Sequence, residues 1–179
     1  MQTKTIVLSA GVLLAFVCAA GVRGASAQAG RLSPHESVAN VIDGADVSIT
    51  YGRPSMRGRA IMGQLVPYGR VWCPGADEAT TLKSSKALRI GTLALDAGSY
   101  TLWMLPAAGD WSLIVNRETE IFHTQYSPRY DLGSVMMAKH TVTPPVEQLT
   151  FAIEKSETGG TIAMTWEATS VSVGFTVVQ

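Results

Sequence analysis

The chain has 179 residues, with 14 Lys and Arg against 14 Asp and Glu, so its formal net charge is zero. A nucleic-acid-binding surface needs a clustered excess of Lys and Arg, and polybasic attachment to an anionic membrane needs one too. The sequence contains no basic run of that kind. Its composition therefore excludes nucleic acid as a partner and excludes polybasic membrane attachment.

The first 27 residues are predicted to be a cleavable signal peptide. Lys4 precedes an uncharged, apolar run over residues 6–20, and the small residues at positions 25–27 form a signal-peptidase site. The run is shorter than the roughly 20 residues that a membrane-spanning helix needs, which makes an uncleaved anchor the less favoured alternative. We expect a periplasmic or secreted protein that begins near Gln28 and has no transmembrane span in its mature part.

Cleavage would change both the charge and the cysteine content. It would remove Lys4 and Arg23 and leave 12 basic against 14 acidic residues. It would also remove Cys18, so that Cys73 has no intramolecular partner for a disulfide. A chain of about 150 residues buries enough surface to fold without one. We expect Cys73 to be a partly buried apolar group, with a reactive nucleophile as the alternative.

The N-terminal half of the predicted mature chain alternates apolar and polar residues with a period of two, which indicates β-strands. The Asp43-Gly44 pair predicts a two-residue hairpin between strands at residues 38–42 and 47–51. A turn at residues 96–98 predicts a second hairpin, between residues 88–93 and residues 100–104.

The same alternation continues towards the C-terminus. A short apolar strand at residues 111–115 follows the turn at residues 106–110. Residues 149–153 and 162–166 predict a further hairpin, and residues 171–175 predict a final strand. No sustained helical pattern interrupts these segments.

The short strands and their Gly, Pro and Asp turns predict one all-β domain over residues 33–179. The expected fold is an antiparallel β-sandwich, either jelly-roll-like or a partly closed barrel. Residues 52–69 break the alternation with four glycines, two prolines and three arginines, and should form a long ordered loop, a common place for function. The tryptophans could pack in the core or include a stacking platform for a sugar ring: Trp111 and Trp166 are expected in the core, whereas Trp103 could be exposed.

Several strings in the sequence resemble the domain of unknown function 2911 family, a bacterial family whose members are commonly exported. They are SPHES (33–37), ITYGRPSMRGR (49–59), LVPYGRVW (65–72), GADEATTL (75–82) and AGSYTLWMLP (97–106). The resemblance covers nearly the whole predicted mature chain. It implies a β-sandwich and no established activity.

The chain departs from the pattern of that family at three places. It has Cys73-Pro74 where an Arg-Thr pair is usual, Asp77 where Asn is usual, and Phe122-His123 where Trp-Gly is usual. A ligand site that used the missing arginine would be altered or absent in this protein.

The arginines of the long loop are the first candidate site. Arg53, Arg57 and Arg59 lie within seven residues, and guanidinium groups pair bidentately with carboxylates or phosphates. They could form an anion site. Alternatively, Arg53 and Arg59 could hold the loop to Asp77 or Glu78 and to backbone carbonyls, which a long ordered loop must satisfy.

The acidic and histidine residues are the second candidate site. Asp77 and Glu78 would point to opposite faces of a strand, but they could converge in a turn. The histidines show no spacing typical of zinc, so we predict neither a metal nor a cofactor. An ion shared by His35, His123 and Asp77 stays open as an alternative.

The leading interpretation is a non-catalytic small-molecule-binding or structural domain of the cell envelope, whose partner is an unknown small molecule or envelope protein. The candidate binding residues are Arg53, Arg57, Arg59, Asp77, Glu78, Tyr126, His35 and His123. The alternative is a hydrolase or metal-dependent enzyme that uses a cluster of His, Asp and Glu side chains.

Overall fold

The computed structural model describes residues 33–179, so the predicted signal peptide lies outside the described residues. These residues form β-strands and one short 3₁₀ turn, without an α-helix. None of them belongs to a helix long and apolar enough to cross a bilayer. The strands are β1 (His35–Ile42), β2 (Ala45–Gly52), β3 (Thr81–Ser84), β4 (Leu88–Ile90), β5 (Leu93–Leu95), β6 (Gly98–Leu105), β7 (Trp111–Asn116), β8 (Asp131–Ser156) and β9 (Gly159–Val177).

The strands form one antiparallel sheet in the order β1-β2-β3-β6-β7-β8-β9-β4-β5. The sheet is not closed, because β1 and β5 are its two edges. Its two halves are joined by β8, which pairs with β7 through its first residues and with β9 through the rest. Asn40 of β1 donates a hydrogen bond to the carbonyl of Ile153 in β8 at 3.0 Å, so the β1 edge lies against the opposite half. The predicted all-β, antiparallel fold is confirmed.

The first predicted hairpin is present and has the expected turn. Asp43 and Gly44 both have positive φ, 48° and 76°, as a two-residue type I′ turn requires. The register pairs Ile42 with Ala45 and continues to His35 opposite Gly52. This pairing brings the start of β1 beside the end of β2.

The predicted hairpin around residues 96–98 is wrong. β4 and β5 pair with each other across the turn at Gly91, whose φ is 55°, and β4 then pairs with β9. β6 instead pairs with β3 and β7. The turn at residues 96–98 therefore carries the chain from one half of the sheet to the other.

The long strands β8 and β9 include segments that sequence alternation did not reveal. The predicted pairing of residues 149–153 with 162–166 is present, with Phe151 opposite Met164. However, β8 begins already at Asp131, and the predicted final strand is continuous with the one before it. The β8–β9 register shifts between Thr141 and Thr150, where Thr143-Pro144-Pro145 interrupts the pairing.

The core contains two clusters on opposite faces of the sheet. The main cluster lies between its two halves and includes Trp111 and Trp166, as predicted. Trp103 belongs to the second cluster, and its predicted surface position is wrong, since only 2% of it is exposed. Residues 73–79 and 117–130 cover this outer face of β6 and β7, so both faces of those strands are buried.

Candidate functional site

The long loop of residues 53–69 borders a surface groove of about 410 Å³. The lining of the groove is largely apolar, and no Asp or Glu is among its described residues. Two guanidinium groups and an imidazole supply its charged or ionisable side chains. The residues that matter for its chemistry are Arg57, Arg59, Leu65, Trp72, His123 and Trp166.

Two glutamates of the long strands hold the loop in place. The amide of Met56 donates to the backbone carbonyl of Glu147 at 2.8 Å, and the amide of Arg57 donates to its Oε1 at 2.9 Å. The amides of Ile61 and Met62 donate to the carboxylate of Glu167 at 3.0 and 3.2 Å. Backbone donors that would otherwise be unsatisfied are thereby bonded, so the loop is ordered.

Arg59 both organises the loop and lines the groove. Its Nε donates to the carbonyl of Met56 and its Nη2 to the carbonyl of Ser55, each at 2.9 Å. Among the described residues, its Nη1 has no hydrogen-bond acceptor. Two hydrogen bonds therefore position the guanidinium of Arg59, which lines the groove, and leave a part of its donor capacity unused by the described residues. Arg57 lies at the tip of the same turn, with a φ of 51°.

The apolar side of the groove consists of tryptophans. The rings of Trp72 and Trp166 are nearly parallel, with centroids 6.3 Å apart and an interplanar angle of 16°, and Trp111 packs edge-on against Trp72 at 6.4 Å. The indole N–H groups of Trp111 and Trp166 donate to the carbonyls of Ala107 and Glu147. Within the described residues, the indole N–H of the partly exposed Trp72 has no acceptor.

A close backbone contact fixes the opposite wall, which includes Gly75 and Ala76. A Cβ added at Gly52 would lie 2.1 Å from the carbonyl oxygen of Ala76, so only glycine allows this approach at the end of β2. Gly75 is similarly crowded, because its Cβ would lie 2.7 Å from the Thr80 hydroxyl. The turn that follows places Asp77 at a φ of 65°.

A family comparison identifies the chain. The family described as "Protein of unknown function (DUF2911)" matches residues 33–175, which is most of the sequence. The chain belongs to the DUF2911 family. No curated protein and no solved structure shows significant similarity to it. The resemblance seen in the sequence strings is thereby confirmed.

In this DUF2911 protein, His35 meets the two predicted acidic residues. Its Nε2 lies 3.1 Å from Oε2 of Glu78 and 3.4 Å from Oδ2 of Asp77. The Nε2 and the Asp77 oxygen are both buried, and neither makes a well-aligned hydrogen bond within the described residues. The turn therefore brings Asp77 and Glu78 to one histidine, behind the wall of the groove.

His123 connects this cluster to the groove. Both its backbone N–H and its Nδ1 lie within 2.9 Å of the carbonyl oxygen of Asp77. Since a carbonyl only accepts, Nδ1 carries the proton, and Nε2 is a donor only when the ring is protonated. Within residues 33–179, no group of three or more His, Cys, Asp or Glu side chains is arranged to hold a metal ion.

Arg53 is separated from the other two arginines of the DUF2911 loop. It pairs with Glu36 at 2.8 Å, and it also donates to the carbonyl of Leu149 at 3.1 Å and to the hydroxyl of Thr150 at 2.9 Å. Its acidic partner is thus on β1 and not in the turn at Asp77. Its contacts tie the end of β2 to β1 and β8.

Tyr126 and Cys73 lie in the second core cluster, outside the groove. The ring of Tyr126 packs against Trp103, and its hydroxyl donates to Asp131 at 2.5 Å. Burial, and then the contact with Asp131, raise the pKa of Tyr126 above its ordinary value. Burial raises the pKa of the Cys73 thiol to about 11, despite opposing hydrogen bonds with Thr80. Such a thiol is an inert packing group at neutral pH.

The groove of this DUF2911 protein is lined partly by residues outside the eight candidate binding residues named from the sequence. Leu65 and Trp72 belong to one loop segment and Trp166 to β9, so no local pattern placed all three together. The string LVPYGRVW offered one signal, because Leu65, Tyr68 and Val71 are apolar in a loop with no predicted strand to bury them.

Proposed function

We propose that this protein is a non-catalytic binding domain of the cell envelope, and that it holds a small organic anion in the groove beside Arg57 and Arg59. The observation that carries the proposal is the lining of the groove, in which the described residues join two guanidinium groups to an indole floor and include no carboxylate. A cleft of about 410 Å³ falls within the range of sites for small organic molecules.

The polar groups of the groove favour an anion over a neutral or cationic ligand. Among the described residues, Nη1 of Arg59 has no acceptor and can donate to a ligand, and the indole N–H of Trp72 is a second donor of this kind. A carboxylate accepts from both kinds of donor, and a guanidinium pairs with it in a planar, charge-assisted geometry. A cation would find no acidic side chain among the lining residues within 33–179.

The apolar indoles favour an anion that also carries carbon. Trp72 is partly exposed and presents mostly hydrocarbon surface, which gains free energy only when a ligand removes apolar area from water, whereas Trp166 is buried and stacks against it. An inorganic anion would use the arginines and leave this surface hydrated. We therefore place the ligand among organic acids.

Two features support a binding role without catalysis. The thiol of Cys73 is buried and its pKa is about 11, so it does not supply a thiolate nucleophile at neutral pH. Among the described residues of the lining there is no carboxylate, so His123 has no acidic partner in the groove with which to form an acid–base pair. Export to the envelope rests on the signal-peptide features of residues 1–27.

Thermal unfolding with a ligand panel tests the proposal. The panel contains organic acids, neutral sugars of similar size, and divalent metal ions, each at about 100 times a Kd of roughly 0.1 mM, where binding adds about 2.7 kcal/mol. We expect organic acids to raise the melting temperature by roughly 5–10 °C and the other compounds to leave it unchanged. Arg57→Gln should remove the shift.

The control variant is Arg89→Gln, which removes an exposed arginine from β4, away from the groove. It should retain the full shift with organic acids. Equal shifts with sugars, or a shift that survives Arg57→Gln, would contradict the proposal. Stabilisation by metal ions, with metal found on elemental analysis, would favour the metal-dependent enzyme instead.

A further inference from the structure

We infer that the anion bound in the groove is an amphiphile: a single-chain carboxylic acid whose head contacts the arginines and whose aliphatic chain extends over the apolar rim. This inference rests on the proposed anion-binding function and specifies the chemical class of the ligand. It starts from exposed apolar side chains that the strands and the core do not explain.

Large apolar side chains are exposed on both sides of the groove. Leu65 lines it from the long loop and is 46% exposed. Phe122 is also 46% exposed, and its ring packs 4.4 Å from that of His123, which lines the groove. Isolated exposed apolar residues are ordinary, but several beside one concave apolar site mark a binding surface.

The same segments carry further exposed apolar residues. Tyr68 and Val71 lie between Leu65 and Trp72 in the sequence, and both are exposed. Across the described residues, seven large apolar side chains are exposed, and four of them lie in the loops that border the groove. Exposed apolar side chains are therefore concentrated in the loops that border the groove, where a compact polar acid would not use them.

Among the described residues that line the groove, the guanidinium groups are those of Arg57 and Arg59, whereas the neighbouring exposed Leu65 and Phe122 carry no charge. Arg70 and Lys139 add positive charge further along the loop, beside Val71 and Tyr68. A ligand that matches this distribution has an anionic end and an uncharged apolar remainder. A free fatty-acid-type carboxylate has this form, and a chain of six to ten carbons suits an open groove of about 410 Å³.

Chain-length dependence of binding, measured by calorimetry, tests the inference on the purified protein. Butanoate and octanoate share the carboxylate and differ by four methylenes, each worth roughly a threefold to fourfold gain in affinity when fully buried. Because the groove is open on one side, we expect octanoate to bind about tenfold to fiftyfold more tightly than butanoate. Octyltrimethylammonium, which has the same chain and the opposite charge, should bind at least tenfold more weakly than octanoate.

Substitutions at the rim of the groove test where the aliphatic chain of the ligand binds. Leu65→Ser and Phe122→Ser should each reduce octanoate affinity by about threefold or more, while butanoate affinity stays unchanged. Val41→Ser is the matched control, because Val41 is 60% exposed on β1 and does not line the groove. All three substitutions affect exposed side chains, and unchanged melting temperatures will confirm that the variants are folded.

Each outcome separates this inference from the function on which it rests. Equal, Arg57-dependent binding of butanoate and octanoate would overturn the amphiphile and leave the anion site standing. Binding of neither acid would overturn both. Equal binding of octanoate and octyltrimethylammonium would show a nonspecific apolar surface and would overturn the inference. Binding to lipid vesicles without binding to free octanoate would show a membrane-binding surface and would overturn it as well.

Discussion

The substitution Gly52→Ala tests whether the close approach between β2 and the groove wall supports both stability and binding. The added Cβ would lie 2.1 Å from the carbonyl oxygen of Ala76, 2.8 Å from its carbonyl carbon and 3.0 Å from its nitrogen. These contacts are with backbone atoms, so no side-chain rotation relieves them. The wall of the groove must move by more than 1 Å to restore ordinary contact distances near 3.5 Å.

Overpacking of this kind costs about 1–3 kcal/mol of unfolding free energy. For a domain of this size, each kcal/mol lowers the melting temperature by roughly 2–4 °C, so Gly52→Ala should melt about 2–12 °C lower. Because Ala76 lines the groove, affinity for organic acids should fall as well. Differential scanning calorimetry gives the stability, and titration calorimetry gives the affinity.

Gly109→Ala is the matched control, because nothing lies within 4 Å of a Cβ added there. Both substitutions reduce the conformational entropy of the unfolded chain by the same amount, so the comparison isolates the steric contact. Gly109→Ala should melt at the wild-type temperature or up to about 4 °C higher, and it should keep its affinity. Equal melting temperatures for the two variants would refute the close approach between Gly52 and Ala76.

Three further substitutions or measurements address residues that the sequence singled out and the structure places outside the groove. Arg53→Gln should lower the urea midpoint by the equivalent of about 1–3 kcal/mol, because the carbonyl of Leu149 loses a donor, without changing organic-acid affinity. Tyr126→Phe should likewise destabilise the fold by about 1–3 kcal/mol and leave organic-acid affinity unchanged, since the Tyr126 hydroxyl bonds to Asp131 in the second cluster. A loss of affinity in either variant would contradict the placement of Arg53 and Tyr126 outside the groove. The Cys73 thiol should react with a disulfide reagent at least about tenfold more slowly in folded than in urea-unfolded protein, because its side chain is buried and its pKa rises from 9.0 to about 11, which lowers the thiolate fraction more than it raises the nucleophilicity of the thiolate. The raised pKa of Cys73 contributes stability below about pH 9, and this contribution should be lost as the pH rises from 9 to 11. The Cys73→Ala variant should lack this loss, and an equal pH dependence of stability in the wild-type protein and the variant would count against it.

Local patterns predicted the parts of the fold that depend on neighbouring residues. The Asp43-Gly44 hairpin follows from residues that tolerate positive φ, and the pairing of Phe151 with Met164 follows from alternation on both sides of a short turn. The turn at residues 96–98 has the same local signals, yet its flanking strands pair elsewhere. Which strands pair across a sheet depends on long-range packing, which alternation within one segment does not encode.

Burial of Trp103 illustrates the same limit. Its phase opposite Leu102 placed it correctly on the other face of β6, but alternation says nothing about what covers that face. Residues 117–130 form an irregular cover with Tyr126 against Trp103, and no period predicts such a segment. The prediction assumed that this face of β6 is exposed to solvent, whereas the irregular segment folds back over it.

The sequence indicated which loop borders the candidate site, but not which residues of other segments lie against it. The density of Gly and Arg in residues 52–69 indicated an ordered loop, and two of its arginines line the groove. Glu36, the partner of Arg53, lies in β1, the partners of His35 lie in the turn at residues 77–78, and Trp166 lies in β9. Composition identified the segment, whereas only the fold shows which side chains share a surface.

The measurement that bears most directly on the account is an NMR titration that follows the indole N–H signals of the four tryptophans during addition of octanoate. Trp72 lines the groove with an indole N–H that has no acceptor among the described residues, whereas Trp103 is buried and its N–H donates to Thr101. Trp72→Phe assigns the first signal. The account predicts that the Trp72 signal shifts with saturation while the Trp103 signal stays fixed. A fixed Trp72 signal at saturating octanoate would contradict it.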